Sequence, residues 1–208
     1  MIDFAEIYER IGYVFKDEKL LTRALTHSSF DRENNYQRLE FLGDTIVDYA
    51  VSDFLYKTTN KSEGEMTNLR KSMVSEVPLA ELADLLMLSK NCQYRNCALS
   101  KKMRSDLYEA VTAAISLDGG LAQALDFVKR TINRVPPAAP DYKSKLKEYC
   151  EKNKLSYHAP YTSTGRDDKK VFTVEVYVGG KSYGVGKGAS VKAAENEACK
   201  TALSKLDR

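Results

Sequence analysis

The chain carries its most informative segment at Gln37-Arg38-Leu39-Glu40-Phe41-Leu42-Gly43-Asp44. The apolar residues around it recur at three- and four-residue spacing, which predicts a helix. Glu40 and Asp44 stand four residues apart, so this helix places both carboxylates on one face, about 6 Å apart. Two acids at that distance repel each other. A hard divalent cation such as Mg²⁺, which prefers oxygen ligands, would stabilise the pair.

A second pair of acids lies further along the chain. Asp106 and Glu109 are three residues apart in another segment with helical spacing, so they also share one helix face. Four acids without matching bases on the same faces predict a cation site between two facing helices. Because no His or Cys accompanies them, the site favours Mg²⁺ or Mn²⁺ over zinc or iron. Such sites act on phosphates by activating water and neutralising charge on phosphoryl oxygens.

The chain divides at a proline-rich segment. Three of its five prolines fall within residues 135–140, and proline disfavours both helix and strand. We therefore expect a front domain of residues 1–134, a linker of residues 135–140 and a back domain of residues 141–208. The back domain holds 14 of the 32 basic and 9 of the 29 acidic residues, a net charge of +5, which leaves −2 for the rest. This asymmetry predicts that the back domain binds a polyanion.

The two domains have different periodicities. Helical spacing predicts an all-α front domain, with helices at residues 5–11, 17–25, 36–56, 64–74, 78–88, 101–117 and 121–132. In the third helix, one apolar stripe is predicted to be buried: Leu39, Leu42, Ile46, Tyr49 and Ala50. The back domain is predicted to be α+β, with helices at 143–152 and 191–206 and strands at 157–164, 171–178 and 181–187. The order α-β-β-β-α predicts a helix pair on one face of a three-stranded antiparallel sheet.

These segments resemble the ribonuclease III family. Residues 38–44 resemble the family signature, and residues 106–110 with 115–120 resemble its second acidic motif. Residues 24–29 and 63–70 resemble two further motifs in the right order and spacing. The back domain is similar to a double-stranded RNA-binding domain. The resemblance therefore covers nearly the whole chain.

The resemblance implies an endoribonuclease for double-stranded RNA that uses Mg²⁺, with Mn²⁺ as a substitute. It leaves 5′-phosphate and 3′-hydroxyl ends with a short 3′ overhang, in ribosomal and messenger RNA processing. Glu40, Asp44, Asp106 and Glu109 match the family's four catalytic acids. Glu40 and Glu109 are expected as the most direct metal ligands, with Asp44 and Asp106 completing the shell, and we assign Asp44 and Glu109 to catalysis. No side chain suits the role of nucleophile, so water activated by the metal is expected to attack.

The resemblance also implies a homodimer, in which Phe41 inserts into the partner subunit. From the residues alone, an ordinary core aromatic is the favoured interpretation of Phe41. No run of about 18 apolar residues is present, so we expect no membrane partner. The N-terminus lacks the pattern of a signal peptide, and the four cysteines lack CxxC spacing. We therefore expect a cytoplasmic protein with free thiols.

Basic residues of the back domain are candidate RNA contacts. Ser190 is predicted to cap the last helix, with Lys187 and Lys192 beside its N-terminus, where the helix dipole also favours phosphate. Three further contacts are expected at Lys147, Lys169 and Lys170. The chain departs from the usual family pattern at Gln37, Asp168 and Val191. The last two departures predict weaker or differently centred RNA binding.

Two other functions are compatible with the sequence. One is a non-catalytic scaffold that binds double-stranded RNA without cleaving it. The other is hydrolysis of a different phosphate compound at a carboxylate–metal site. The intact set of four acids argues against the first, and the RNA-binding domain argues against the second.

Overall fold

Helices form the regular structure of residues 4–134 in the computed structural model, which describes residues 2–165 and 170–206. They are α1 Phe4–Ile11, α2 Glu18–Ala24, α3 Gln37–Thr58, α4 Glu63–Met73, α5 Glu76–Leu85, α6 Lys101–Gly119 and α7 Leu121–Thr131, followed by a short 3₁₀ helix Ile132–Arg134. Side-chain caps fix several starts, because the first backbone N–H groups of a helix lack partners. Asp3, Asp17 and Ser100 accept such bonds, and Ser62 forms a capping box with Glu65. The predicted all-α front domain is confirmed.

The chain separates into two compact units, Met1–Ala139 and Pro140–Arg208. The predicted linker at 135–140 straddles this division. Ala138 donates a backbone hydrogen bond of 2.8 Å to the Ser72 carbonyl, and Val135 packs against the core of the first unit. Most of the proline-rich segment is therefore held by the first unit.

Helix α6 is the centre of the first unit. It packs against α2, α3, α5 and α7, and its residues 105–108 and 110–115 are buried. The Tyr108 hydroxyl pairs with the Thr131 hydroxyl at 2.7 Å inside this core. At the end of α6, the Asp118 carboxylate accepts hydrogen bonds from the Tyr13 hydroxyl and from the backbone N–H groups of Lys16 and Asp17. Asp118 thereby ties α6 to the loop that precedes α2.

The buried face of α3 differs from the predicted stripe. Leu39, Ile46 and Ala50 are buried as expected, whereas Leu42 and Tyr49 are exposed. Gly43 and Val47 take part in the buried face in their place. Helix α3 has apolar residues on two faces, and spacing alone does not tell which face meets α6.

The second unit contains α8 Tyr142–Lys152, β1 Tyr157–His158, β2 Tyr161–Thr164, β3 Val171–Val178, β4 Lys181–Gly188 and α9 Val191–Leu206. All pairings are antiparallel: β4 pairs with one edge of β3, and both β1 and β2 pair with the other. The predicted first strand is thus divided in two at Ala159-Pro160, since proline has no N–H to donate. The Pro160 carbonyl still accepts a bond from the Glu175 N–H, which keeps both pieces on β3. The predicted α-β-β-β-α order is confirmed with this interruption.

Helices α8 and α9 cover one face of the sheet. Their buried residues meet the inward-facing side chains of β3, a core that comprises Leu146, Cys150, Val174, Val176, Val178, Ala194, Ala198, Cys199 and Ala202. Two glycines of β4 allow the close approach of α9. A Cβ atom on Gly184 would lie 2.1 Å from the Ala198 carbonyl oxygen, and one on Gly186 would lie 2.2 Å from that of Ala194. Any side chain at either position would push the helix off the sheet.

Two further expectations concern the whole chain. The four cysteines, Cys92, Cys97, Cys150 and Cys199, are free thiols, as predicted. Among the described residues, no helix combines the length and the apolar character that crossing a membrane requires. Asp168 and Lys169 lie outside the described residues.

Candidate metal centre

Three acids from two helices converge in the first unit. Glu40 comes from α3, and Asp106 and Glu109 come from α6. One carboxylate oxygen from each lies within 4.8 Å of the other two. Oxygens on opposite sides of one Mg²⁺ ion, each about 2.1 Å from it, lie about 4.2 Å apart. The spacing therefore suits a single shared cation.

Gly43 allows the two helices to meet at this point. A Cβ atom built on Gly43 would lie 1.9 Å from the Glu109 carbonyl oxygen and 2.4 Å from its carbonyl carbon. The backbone of α3 thus rests directly on that of α6, at the residue whose side chain enters the acid cluster. A glycine inside a helix costs about 1 kcal/mol relative to alanine, so its presence indicates a packing requirement.

Asp44 lies outside the group of three. Its side chain is exposed, one helical turn beyond Glu40. Its charge nevertheless acts on the cluster. After burial, the charge of Asp44 is the largest cause of the raised pKa of Glu109. The structure thus gathers three of the four predicted acids and places the fourth beside them. Their roles as metal ligands stay a prediction.

Glu109 is the acid of the cluster whose negative charge is least balanced by a basic side chain. Burial, together with the charges of Asp44, Asp106 and Glu40, raises the pKa of Glu109 to about 8. Burial and Glu40 also raise the pKa of Asp106. No hydrogen bond or ion pair from any described residue reaches the Glu109 carboxyl group, and the raised pKa favours its protonated form. A group of hard oxygen donors that includes an acid without a basic partner fits a divalent cation.

Lys102 also belongs to the site, although it was not predicted from the sequence. Its Nζ lies 2.7 Å from Asp106 Oδ1 and 3.1 Å from Glu40 Oε1. The expectation that the acids lack a matching base is therefore wrong. These bonds, that to Asp106 foremost, raise the pKa of Lys102. The available signal was the four-residue spacing from Lys102 to Asp106, a spacing that is also common on solvated helix surfaces.

Phe41 points away from the core, beside Glu40. Its side chain is 81 % exposed, so its interpretation as a core aromatic is wrong. It borders an open groove of about 600 Å³, whose lining residues are Arg23, Gln37, Arg38, Leu39, Phe41, Leu42 and Leu117. Leu42 and Leu117 are exposed as well, so this groove combines apolar side chains with those of Arg23, Gln37 and Arg38. Exposed aromatic and arginine side chains are enriched at protein interfaces.

The predicted RNA-contacting lysines that fall within the described residues lie on the surface of the second unit. Lys147, on α8, has its Nζ 5.7 Å from the Tyr157 ring centroid, and Lys187 lies in β4 just before α9. The Ser190 hydroxyl accepts a hydrogen bond from the Ala193 N–H, which caps α9 beside Lys192. These three lysines and Lys170 are exposed.

An ion-pair network fixes α8 on α9. The Lys143 ammonium donates to one Glu195 carboxylate oxygen at 2.7 Å, and the Tyr157 hydroxyl donates to the other at 2.8 Å. Sequence spacing could not have indicated this network, because its members lie on three separate elements. The network therefore fixes the position of Lys147, on α8, relative to the start of α9.

Comparisons with known proteins cover both units. The family described as Ribonuclease-III-like matches residues 17–135, and the family described as Double-stranded RNA binding motif matches residues 142–206. Ribonuclease 3 of Mesoplasma florum is 36 % identical, with 98 % of this chain and 97 % of that protein covered. Ribonuclease 3 of Pelotomaculum thermopropionicum is 38 % identical over 95 % of this chain and 91 % of that protein.

A solved structure matches the first unit. The nuclease domain of ribonuclease III from Campylobacter jejuni superposes with a TM-score of 0.60 at 33 % identity, covering 64 % of this chain and 97 % of that domain. Its description refers to structural flexibility in a region involved in dimer formation.

Proposed function

The chain belongs to the ribonuclease III family, and from this premise we propose that it is a divalent-metal-dependent endoribonuclease for double-stranded RNA. The observation that carries the proposal is the convergence of Glu40, Asp106 and Glu109 from two helices. The RNA-binding motif of the second unit supports the choice of substrate.

The acids are proposed to hold the cation. Glu40, Asp106 and Glu109 would bind it directly, and Asp44 would act from the rim, directly or through water. We propose Mg²⁺, with Mn²⁺ as a substitute, because carboxylate oxygens are the ligands that both ions prefer. When bound, such a cation activates water and neutralises charge on the phosphate. Because burial and the neighbouring acids raise the pKa of Glu109, binding of a cation by its carboxylate would favour release of a proton.

The products follow from the bonds that change. A new bond forms between a water oxygen and the phosphorus, and the bond from phosphorus to the 3′ oxygen breaks. The leaving 3′ oxygen takes up a proton, which gives a 3′-hydroxyl and a 5′-phosphate. We propose that two subunits, each cutting one strand, leave a short 3′ overhang. The proposed setting is the cytoplasm, where the enzyme processes ribosomal and messenger RNA.

The second unit is proposed to bind the duplex by its shape and phosphates. A-form RNA presents phosphates and 2′-hydroxyls rather than base edges, which suits flexible ammonium groups around a helix N-terminus. We assign Lys187 and Lys192 to the start of α9. Lys147, Lys169 and Lys170 are the further candidates.

The test of the function is a cleavage and binding assay on long duplex RNA with the full chain. We expect binding without cleavage in Ca²⁺, cleavage after Mg²⁺ is added, and neither cleavage in EDTA nor cleavage of the matching single strand. Analysis of the ends is expected to find 5′-phosphate and 3′-hydroxyl groups. Binding without cleavage in Mg²⁺ and Mn²⁺ would favour the scaffold alternative, and absence of duplex binding would favour a different phosphate substrate.

We propose that the groove around Phe41 is the contact of a homodimer. Replacing Phe41 by alanine is expected to weaken the dimer roughly a thousand-fold. A central interface aromatic contributes about 2 kcal/mol, and a twofold interface contains it twice. Sedimentation velocity over a concentration series would measure the dissociation constant.

Tyr56 provides a matched control for this experiment. It lies on the same helix, is 77 % exposed and does not line the groove. Tyr56→Ala is expected to leave the dimer intact. Equal dissociation constants for the two variants would reject the role of Phe41, and a monomeric parent protein at micromolar concentration would reject the homodimer.

A further inference from the structure

Lys102 contacts two of the acids that a metal ion would need. Its ammonium contacts Glu40 and Asp106, two of the three acids whose oxygens lie within 4.8 Å of one another. An ammonium group has three donors and no lone pair, so it cannot serve as a metal ligand. A divalent ion on the same oxygens would also repel it. The ammonium and the ion therefore exclude each other from these oxygens.

The partners differ in their freedom to move. The Lys102 side chain is 65 % exposed, whereas the side chain of Asp106 is 7 % exposed. Asp106 is fixed within the central helix, and Glu40 lies beside the backbone contact at Gly43. Lys102 has a flexible four-carbon stem at the start of α6, with solvent on its outer side. It can swing away while the acids stay in position.

Resting on the proposed function, we infer that Lys102 is a displaceable internal cation of the metal centre. In the metal-free protein it neutralises Glu40 and Asp106 and keeps both acids in the binding arrangement. A metal ion must displace it, so Lys102 raises the metal concentration at which the site fills. It is a positioning residue, because it acts on the ligands and not on the substrate.

A purely structural role for Lys102 predicts a different behaviour. As an anchor between α3 and α6, it would stabilise the protein equally with and without metal, and its loss would leave metal affinity unchanged. A displaceable cation stabilises only the metal-free protein, and its loss tightens metal binding. The two roles therefore differ in affinity and in the metal dependence of stability.

The experiment measures binding of Mn²⁺ alone to the full chain, without RNA, by the electron paramagnetic resonance signal of the free ion. Lys102→Met removes the charge and keeps an apolar stem of similar length. Lys101→Met removes the same charge one residue away, from an exposed side chain outside the acid cluster. Lys102→Arg keeps the charge. Thermal unfolding in EDTA and in saturating Mn²⁺ is recorded for each protein.

We expect Lys102→Met to bind Mn²⁺ about 5- to 30-fold more tightly than the parent protein, as loss of a competing charge-assisted pair predicts. Lys101→Met and Lys102→Arg are expected to stay within about twofold of it. Lys102→Met should unfold at a lower temperature than the parent in EDTA, and the difference should vanish in Mn²⁺.

Two results would overturn the inference and leave the proposed function standing. One is Mn²⁺ affinity that is unchanged or weaker in Lys102→Met, with the parent protein binding the ion. The other is a loss of stability that persists in saturating Mn²⁺. Failure of every protein to bind Mn²⁺ would overturn the proposed metal centre together with the inference, so the two failures are distinguishable.

Discussion

Replacing Glu109 by glutamine is expected to lower the rate of duplex RNA cleavage by at least about a thousand-fold. A bound divalent cation would provide several kcal/mol of charge stabilisation in the transition state, and each 1.4 kcal/mol corresponds to about tenfold in rate. Glutamine keeps the shape of the side chain and removes the anionic oxygen that would bind the ion. The measurement is the single-turnover rate in Mg²⁺, with duplex binding in Ca²⁺ recorded beside it. Undiminished cleavage by this variant would reject the mechanism.

The pH dependence of stability provides the control for this variant. In the metal-free protein, the pKa of Glu109 rises from its ordinary value of 4.5 to about 8. The folded state therefore binds a proton that the unfolded state has released, and the free energy of unfolding falls as pH rises from 4.5 to 8. In EDTA, we expect a loss of a few kcal/mol at most over this interval in the parent protein. Glu109→Gln should lack this part of the slope.

The same control separates a catalytic defect from a folding defect. At pH 8 in EDTA, Glu109→Gln is expected to be at least as stable as the parent protein, because an amide has no charge to desolvate. Inactivity together with lower stability at pH 8 would indicate that the substitution disturbs the fold.

Replacing Gly43 by alanine is expected to destabilise the first unit by about 3 kcal/mol, the upper end of the usual range for overpacking, and to abolish cleavage. The added methyl group would lie 1.9 Å from the Glu109 carbonyl oxygen, and backbone cannot yield as a side chain does. Helices α3 and α6 must then separate, which moves Glu40 away from Asp106 and Glu109. Thermal unfolding of the full chain should show a fall of roughly 10 °C in the transition of this unit.

Gly64→Ala is the matched control for this prediction. Gly64 lies in the first turn of α4, and a Cβ atom built there meets no described atom within 4 Å beyond its own helix turn. Alanine is the better helix former, so this variant is expected to be unchanged or more stable by up to about 1 kcal/mol. If Gly43→Ala were as stable as Gly64→Ala, the close helix contact would not be a requirement of the fold.

The order of the elements could be predicted from the sequence, because helices and strands have different periods. The interruption of the first strand could also have been predicted, because Pro160 lies in the middle of the predicted strand. The buried face of α3 could not be predicted. Leu42 and Tyr49 continue the helical spacing of the core residues, yet they are exposed, since α6 crosses α3 at Gly43.

The spacing of the acids along the sequence indicated which residues form the site. Their convergence could be seen only in the folded structure. Helical geometry places Glu40 and Asp44 on one face, but it does not fix where along that face α6 passes. Lys102 was missed for a similar reason. Its four-residue separation from Asp106 is that of an ordinary surface pair, and only the packing of α3 on α6 brings Glu40 to the same ammonium.

Glu40 and Phe41 are consecutive residues on one turn of α3, with Glu40 in the acid cluster and Phe41 on the solvent side. A partner subunit that held Phe41 would therefore restrict the rotation of the turn that carries Glu40. Coupling of this kind is reciprocal: if assembly tightens ion binding by some factor, the ion must tighten assembly by the same factor. A higher enzyme concentration and a higher ion concentration would then both increase the population of the ion-bound dimer. Dilution and chelation would inactivate the enzyme through the same linked equilibrium.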